Sequence, residues 1–172
     1  MLNRFLLIAF AFTLLSCQAG GKLRVKDVQD IPHNEVIVFG HIKIILGDNY
    51  DWRNYLFTKI FVLDEETSKT WSIPLGSDGI LYWHLPPGKY VISDWYISTS
   101  GQKGRLWAKF QVEGKKQATY IGTLILTFES AWRKRYRTKI EDNYDEALKS
   151  FKDEFPEFDG EVDKNLMTLE KL

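Results

Sequence analysis

Few residues in this chain are of a type that does chemistry, and their spacing gathers them into no familiar set. The histidines are His33, His41 and His84. No two stand four apart, and no cysteine lies among them, so nothing in the spacing makes metal ligands converge. They are expected to be structural or on the surface. Asp64, Glu65 and Glu66 are grouped carboxylates. They fall in a predicted turn with no apolar pocket to shift a pKa, which predicts a solvated loop rather than an acid–base pair. There is no G-x-S-x-G elbow, phosphate-cradling glycine loop or G-x-G-x-x-G. The expectation is no catalytic set, no metal and no cofactor.

Charge and aromatic patterns say more. Arg133, Arg135, Arg137 and Lys139 are spaced by two, so on a strand all would project from one face, with Lys134, Tyr136 and Thr138 opposite. Residues 141–172 then hold eleven acidic and four basic residues. One reading is internal neutralisation, with the acidic helix or tail lying near the basic strand face; surface charge runs are usually solvated or locally paired. The other is contact with phosphate groups of lipopolysaccharide or phospholipid. Aromatic residues make up 15% of the chain and include six tryptophans. In 105–112, Leu106, Ala108, Phe110 and Val112 form a core face, and Trp107 shares the other face with Arg105 and Lys109. Trp83 reads as core, as does Trp71 with Ile73. Tyr50, Trp52 and Tyr55 lie in a predicted loop. Trp107 or that loop could stack on sugar or peptide, although packing is the simpler use of both. The candidate ligand-binding residues are therefore Trp52, Trp107, Arg133, Arg135 and Arg137.

The single cysteine, Cys17, stands at the end of an export-like pattern. Arg4 precedes an apolar run from Phe5 to Leu15 that is 11 residues long and broken only by Thr13. That is the length of a signal-peptide core and well short of the roughly 20 residues needed to span a bilayer. The run ends in Leu14-Leu15-Ser16-Cys17, which resembles the lipobox of bacterial lipoproteins. The resemblance implies cleavage after Ser16, a diacylglycerol on the Cys17 thiol and acylation of the new amine, for which Cys17 is the lipidation site. Two or three acyl chains hold a protein stably where one does not. Gln18 after the cysteine implies, in enterobacterial sorting, the outer membrane. An ordinary secretory signal and an uncleaved anchor remain the alternatives. With one cysteine, no disulfide framework exists.

These residues must be positioned by strands. Residues 17–32 are polar, without apolar period, and read as a tether with a reach on the order of 20 Å. Residues 33–172 read as one domain. Runs rich in Val, Ile, Tyr, Phe and Trp follow at 35–46, 56–63, 70–74, 80–85, 89–97, 105–112 and 118–128, with turn chemistry between them. Val36, Val38, Ile42 and Ile44 alternate to one side. Tyr144, Leu148, Phe151 and Phe155 share one helical face, so a helix is expected over 143–155, capped by Asp142 or Asn143 and ended by Pro156. Pro87 and Gly88 predict a tight hairpin turn, with positive φ at Gly88. Leu85-Pro86-Pro87-Gly88-Lys89-Tyr90-Val91 resembles the hairpin of PEGA-type and carboxypeptidase-regulatory-like domains, and Tyr120-Ile121-Gly122-Thr123-Leu124 resembles a segment of lipoproteins of this general sort. The resemblance implies a transthyretin-like or immunoglobulin-like sandwich and carries no catalytic residues. The expected fold is mainly β: an antiparallel sandwich of seven or eight strands with one C-terminal helix. Residues 160–172 carry no pattern.

Net charge is zero, so no bulk attraction to nucleic acid or anionic lipid is expected. The sequence favours a non-enzymatic binding or envelope-assembly module, lipid-anchored in the bacterial cell envelope. Its expected partners are the membrane, through lipid on Cys17, and an envelope protein or glycan. A small periplasmic or surface hydrolase and a structural surface protein are the alternatives.

Overall fold

Period-two alternation governs the chain beyond Pro32. A computed structural model describes residues 24–46, 58–76, 78–98, 101–129 and 135–170. One five-stranded sheet holds β1 (Val36–Leu46), β4 (Ile80–Leu85), β7 (Ala118–Phe128), β8 (Tyr136–Glu141) and β9 (Val162–Lys164). Its order is β4-β1-β7-β8, with β9 also beside β7. The other sheet has the order β10-β6-β5-β2-β3. Its strands are β2 (Thr58–Asp64), β3 (Thr70–Pro74), β5 (Gly88–Ile97), β6 (Gln102–Val112) and β10 (Thr168–Leu169). The helix α1 spans Tyr144–Glu154. This is a β-sandwich with one helix, as the alternation predicts. The two shortest strands, β9 and β10, come from the tail where no periodic pattern was visible.

Two cores lie on the two faces of the first sheet. Between the sheets, Val36, Val38, Ile42 and Ile44 pack with Trp71, Trp83, Trp95, Leu106, Phe110 and Phe128. On the outer face, Ile37, Phe39, Tyr82 and Tyr120 are covered by Phe151, Phe155 and Phe158. Phe39 stacks on Phe151 at 4.4 Å, and Phe155 meets Tyr82 edge-on at 5.1 Å. The apolar face of α1 is thus the lid of the second core. Asn143 occupies the N-cap without a side-chain cap bond. Its amide instead faces the sheet, the backbone N–H donating to the Tyr120 hydroxyl and Nδ2 to Thr123 Oγ1. Asp145 and Glu146 supply negative charge at the positive end of the helix.

The central pairing, β1 with β7, is parallel. Parallel neighbours need a long connection, and here it is the whole run β2 to β6, including four strands of the opposite sheet. The pair crosses a bulge at Gly122, where φ is +93°. Before it Ile121 faces the inter-sheet core; after it Leu124, Leu126 and Phe128 do. Gly40 lies across from the bulge, and a Cβ there would stand 2.6 Å from the Gly122 carbonyl oxygen.

Two sequence expectations are corrected. Pro86-Pro87 is no hairpin, because β4 pairs with β1 whereas β5 pairs with β2 and β6. The prolines carry the chain from one sheet to the other, where no ladder needs their missing N–H groups. Gly88 opens β5 rather than adopting positive φ, and the Tyr90 hydroxyl donates to the Pro86 carbonyl at 2.7 Å to close the crossing. Residues 24–32, read as tether, are packed on the domain. Arg24 bridges to Trp83, Val25 is buried, and Val28 and Ile31 lie against the second core.

Replacing Gly40 by alanine should destabilise the protein by about 1–3 kcal/mol, since backbone and not a movable side chain blocks the methyl. Urea unfolding checks this, with unchanged stability counting against a tight β1–β7 contact at this point.

Candidate functional site

The outer face of the second sheet joins apolar and cationic side chains. Register places Lys59 beside Tyr96 and Lys103, Phe61 beside Asp94 and Arg105, and Leu63 beside Val91 and Lys109. The neighbours of Phe61 in β2, Ile60 and Val62, face the core, so Phe61 and Leu63 point outward. Both are partly exposed, as are Tyr96 and Trp107. Lys59, Lys89, Lys103 and Arg105 are exposed, and among the described residues none of the four has an ion-pair partner. The element that packs on a sheet's outer face, α1, contacts β1 and β7 and so lies on the other sheet.

Trp107 sits where this sheet fans out. Between the paired levels Phe61–Asp94–Arg105 and Val62–Ile92–Ala108, β2 inserts no residue, β5 inserts Ser93, and β6 inserts Leu106 and Trp107. Leu106 and Ala108 both face the core, so Trp107 is turned to the outside. It does so in the left-handed region, with φ +51°. A bulky side chain there costs about 1–2 kcal/mol. The Trp107 carbonyl accepts from the Glu170 N–H at 3.2 Å. Next to it, Lys109 Nζ lies 3.0 Å from Glu65 and 2.8 Å from Glu170; these two carboxylates hold its pKa above the ordinary value. The C-terminal tail therefore clamps the bulge.

The grouped acids have a local task. Asp64 accepts from the N–H groups of Glu66 and Thr67 and from the Thr67 hydroxyl, closing the β2–β3 turn. Burial pushes its carboxyl up, but the hydrogen bonds from Thr67 and Glu66, with Lys69 nearby, outweigh this and leave it below the usual range. His84 pairs with Glu35. His33 is exposed, beside Glu35, Lys115 and Lys116 in a groove at the β1 end of the sandwich. His41 lines a cleft of about 120 Å³ between the first sheet and α1, with Lys43, Glu146 and Ser150. Its Nε2 lies 2.7 Å from the Asp78 carbonyl oxygen. A carbonyl only accepts, so Nε2 carries the proton. Burial lowers the His41 pKa, with Lys43 acting in the same sense and the Asp78 hydrogen bond opposing. Among the described residues no group of three or more His, Cys, Asp or Glu is placed to hold a metal ion.

Of the residues singled out from sequence, Cys17, Trp52 and Arg133 lie outside the described residues, as do Tyr50 and Tyr55. Arg137 and Lys139 do share the exposed face of β8, with Tyr136, Thr138 and Ile140 opposite, and Arg135 just before the strand is exposed. Their neutralisation is local and does not come from α1. Arg137 lies 3.8 Å from Glu129 and Lys139 2.5 Å from Glu141. No hydrogen bond, ion pair or ring contact among the described residues joins Trp107 to Arg135 or Arg137; the link between their segments is the Tyr136 hydroxyl, which donates to the Arg105 carbonyl. Arg105 and Lys109 were placed on the face of Trp107 from sequence, whereas Phe61, Leu63, Tyr96, Lys59, Lys89 and Lys103 were missed. The alternation Lys59, Phe61, Leu63 carried the signal, but only the pairing of β2 with β5 reveals that Tyr96 joins it. No family model matches the chain, and no curated protein or solved structure matches it.

Backbone strain at Trp107 should reverse a usual order. Trp107→Gly should be more stable than Trp107→Ala by about 1 kcal/mol, because both lose the ring and only glycine relaxes at positive φ. Equal midpoints in urea would remove the strain. For His41, an imidazole titration followed by NMR should give a midpoint below the ordinary value of about 6.5. The neutral ring favours the fold, so this contribution is complete above that value and is lost as pH falls through the lowered one. A midpoint at or above about 6.5 would contradict the burial.

Proposed function

We propose that this protein is a lipid-anchored component of the bacterial cell envelope whose sandwich is a non-enzymatic binding module. The observation that carries this reading is the asymmetry of the two outer faces. One is sealed by α1 over Phe39, Tyr82 and Tyr120. The other presents Phe61, Leu63, Tyr96 and Trp107, partly exposed, among four exposed cations without ion-pair partners among the described residues. Aromatic anchors ringed by cations suit recognition rather than bond making. Several polar groups of the kind that do acid–base work are engaged in the fold: Asp64 in its turn, His84 with Glu35, His41 with a backbone carbonyl.

Attachment rests on the resemblance of Leu14-Leu15-Ser16-Cys17 to a lipobox. No helix among the described residues is long and apolar enough to cross a membrane. Packing of the chain from Arg24 onward leaves residues 18–23 between Cys17 and the domain. Six residues span at most about 20 Å, so the anchor holds the domain close to the bilayer surface.

Two measurements test the reading. Labelled palmitate should enter the wild-type protein in growing bacteria, with label and membrane fractionation both lost in Cys17→Ser. A photo-crosslinking residue at Tyr96 should capture a partner in cells where one at Lys149, exposed on α1, does not. Unlabelled wild type would overturn the anchor, and equal capture at both positions would overturn the binding face.

A further inference from the structure

We infer that the outer face of the second sheet docks on an anionic phospholipid surface, an inference that rests on the reading of this face as a binding surface and names its partner. Three independent features point there. The first is shape: the face is an open sheet formed by β2, β5 and β6, whereas clefts among the described residues lie beside α1 and at the loop end. A headgroup layer asks for no cavity. The second is the layout. Apolar and cationic side chains are interleaved: Tyr96 lies on one rung between Lys59 and Lys103, Phe61 shares a rung with Asp94 and Arg105, and Leu63 shares one with Lys109. Trp107 stands between those last two levels, and Lys89 lies at the far end of β5. Tyrosine and tryptophan favour the interfacial layer, while long cationic side chains lay their stems on apolar surface and reach for phosphate.

The third is charge. The chain as a whole is neutral, but its charge is polarised. The outer sheet face carries Lys59, Lys89, Lys103, Arg105 and Lys109 against Asp94, Glu65 and Glu170, a surplus of two positive charges. The helix α1 carries Asp145, Glu146, Asp153 and Glu154 against Lys149 and Lys152, a surplus of two negative ones. An anionic bilayer therefore attracts one side of the sandwich and repels the other, which fixes orientation as well as contact. A basic side chain near such a surface contributes about five-fold in affinity, so four suffice for a domain already confined near the bilayer. The basic residues of β8 are a poorer candidate, since Glu129 and Glu141 accompany Arg137 and Lys139.

The test uses the full chain reconstituted in vesicles of phosphatidylcholine, alone or mixed with phosphatidylglycerol. A fluorophore is placed through Thr70→Cys, on this face opposite Leu63, or through Lys149→Cys on α1. Spin-labelled lipid should quench the label at position 70 strongly in the anionic vesicles and weakly in the neutral ones, with little quenching at position 149 in either. Lys59→Glu, Lys103→Glu and Arg105→Glu together should cut the anionic-lipid-dependent quenching at least ten-fold, while circular dichroism stays unchanged because all three side chains are exposed. Equal quenching at both positions, or quenching indifferent to phosphatidylglycerol, overturns the inference. So does capture at Tyr96 of a glycan or a protein in place of lipid, which would leave the binding face standing with another partner. Label appearing at Cys17 would report a free thiol and the failure of the anchor alone.

Discussion

Parallel pairing of β1 with β7 holds this structure together, because both cores are built on it. Every residue of β7 is buried except Thr127, which is partly so. Its inward side meets the second sheet; its outward side meets α1. Burial on both faces leaves each residue no neutral position, and the bulge at Gly122 is what lets the strand change which parity faces inward partway along its length. The Gly122 carbonyl leaves no room for a Cβ on Gly40, while Gly122 itself answers to its positive φ. The second edge of β7 is shared, with β9 on its first residues and β8 on the rest. One strand thus organises four partners, and the C-terminal third of the chain folds against an edge prepared by the middle.

Much of this was legible in local pattern. Alternation at Val36, Val38, Ile42 and Ile44 identified an inward face, and the four-three-four spacing from Tyr144 to Phe155 identified the helix and its buried side. Local pattern is silent on partners. Pro86-Pro87-Gly88 has the chemistry of a turn, yet whether a turn reverses within a sheet or leaves it depends on hydrogen bonds made by residues far away in sequence. The tail was opaque for a related reason: β9 and β10 are too short for alternation to register, and their pairing comes from the edges of β7 and β6. Residues 24–32 looked like tether because Val25, Val28 and Ile31, spaced by three, match neither the strand period of two nor an extended helical stripe, although each packs on the second core. The candidate site was less legible still. Trp107 was visible, but Phe61 and Tyr96 are brought onto its face of the sheet only by strand order.

Composition conceals what the fold separates. Equal numbers of acids and cations, 23 each, describe a neutral chain, yet the acids concentrate from residue 141 onward and that segment wraps the first sheet. Lys109, tied to Glu65 and Glu170, is the point where the acidic tail reaches the basic face. Elsewhere on that face Lys59, Lys89, Lys103 and Arg105 keep no such company among the described residues. Neutral totals thus say little about recognition when one terminal segment holds the surplus of one sign.

Strain at Trp107 ties these observations together. Leu106 and Ala108 would share the core face in any regular strand, and β6 keeps that alternation. The extra residue instead sets its register with β5, where Ser93 alone stands opposite Leu106 and Trp107, and it leaves a large ring on the outer face at positive φ. The cost, about 1–2 kcal/mol, is offset where the tail adds the Glu170 N–H to the Trp107 carbonyl and pairs Leu169 with Ala108. An aromatic residue mounted on a clamped bulge within a sheet loses little freedom on contact with a partner, so a binding surface of modest area can be built from strands without any recognition loop.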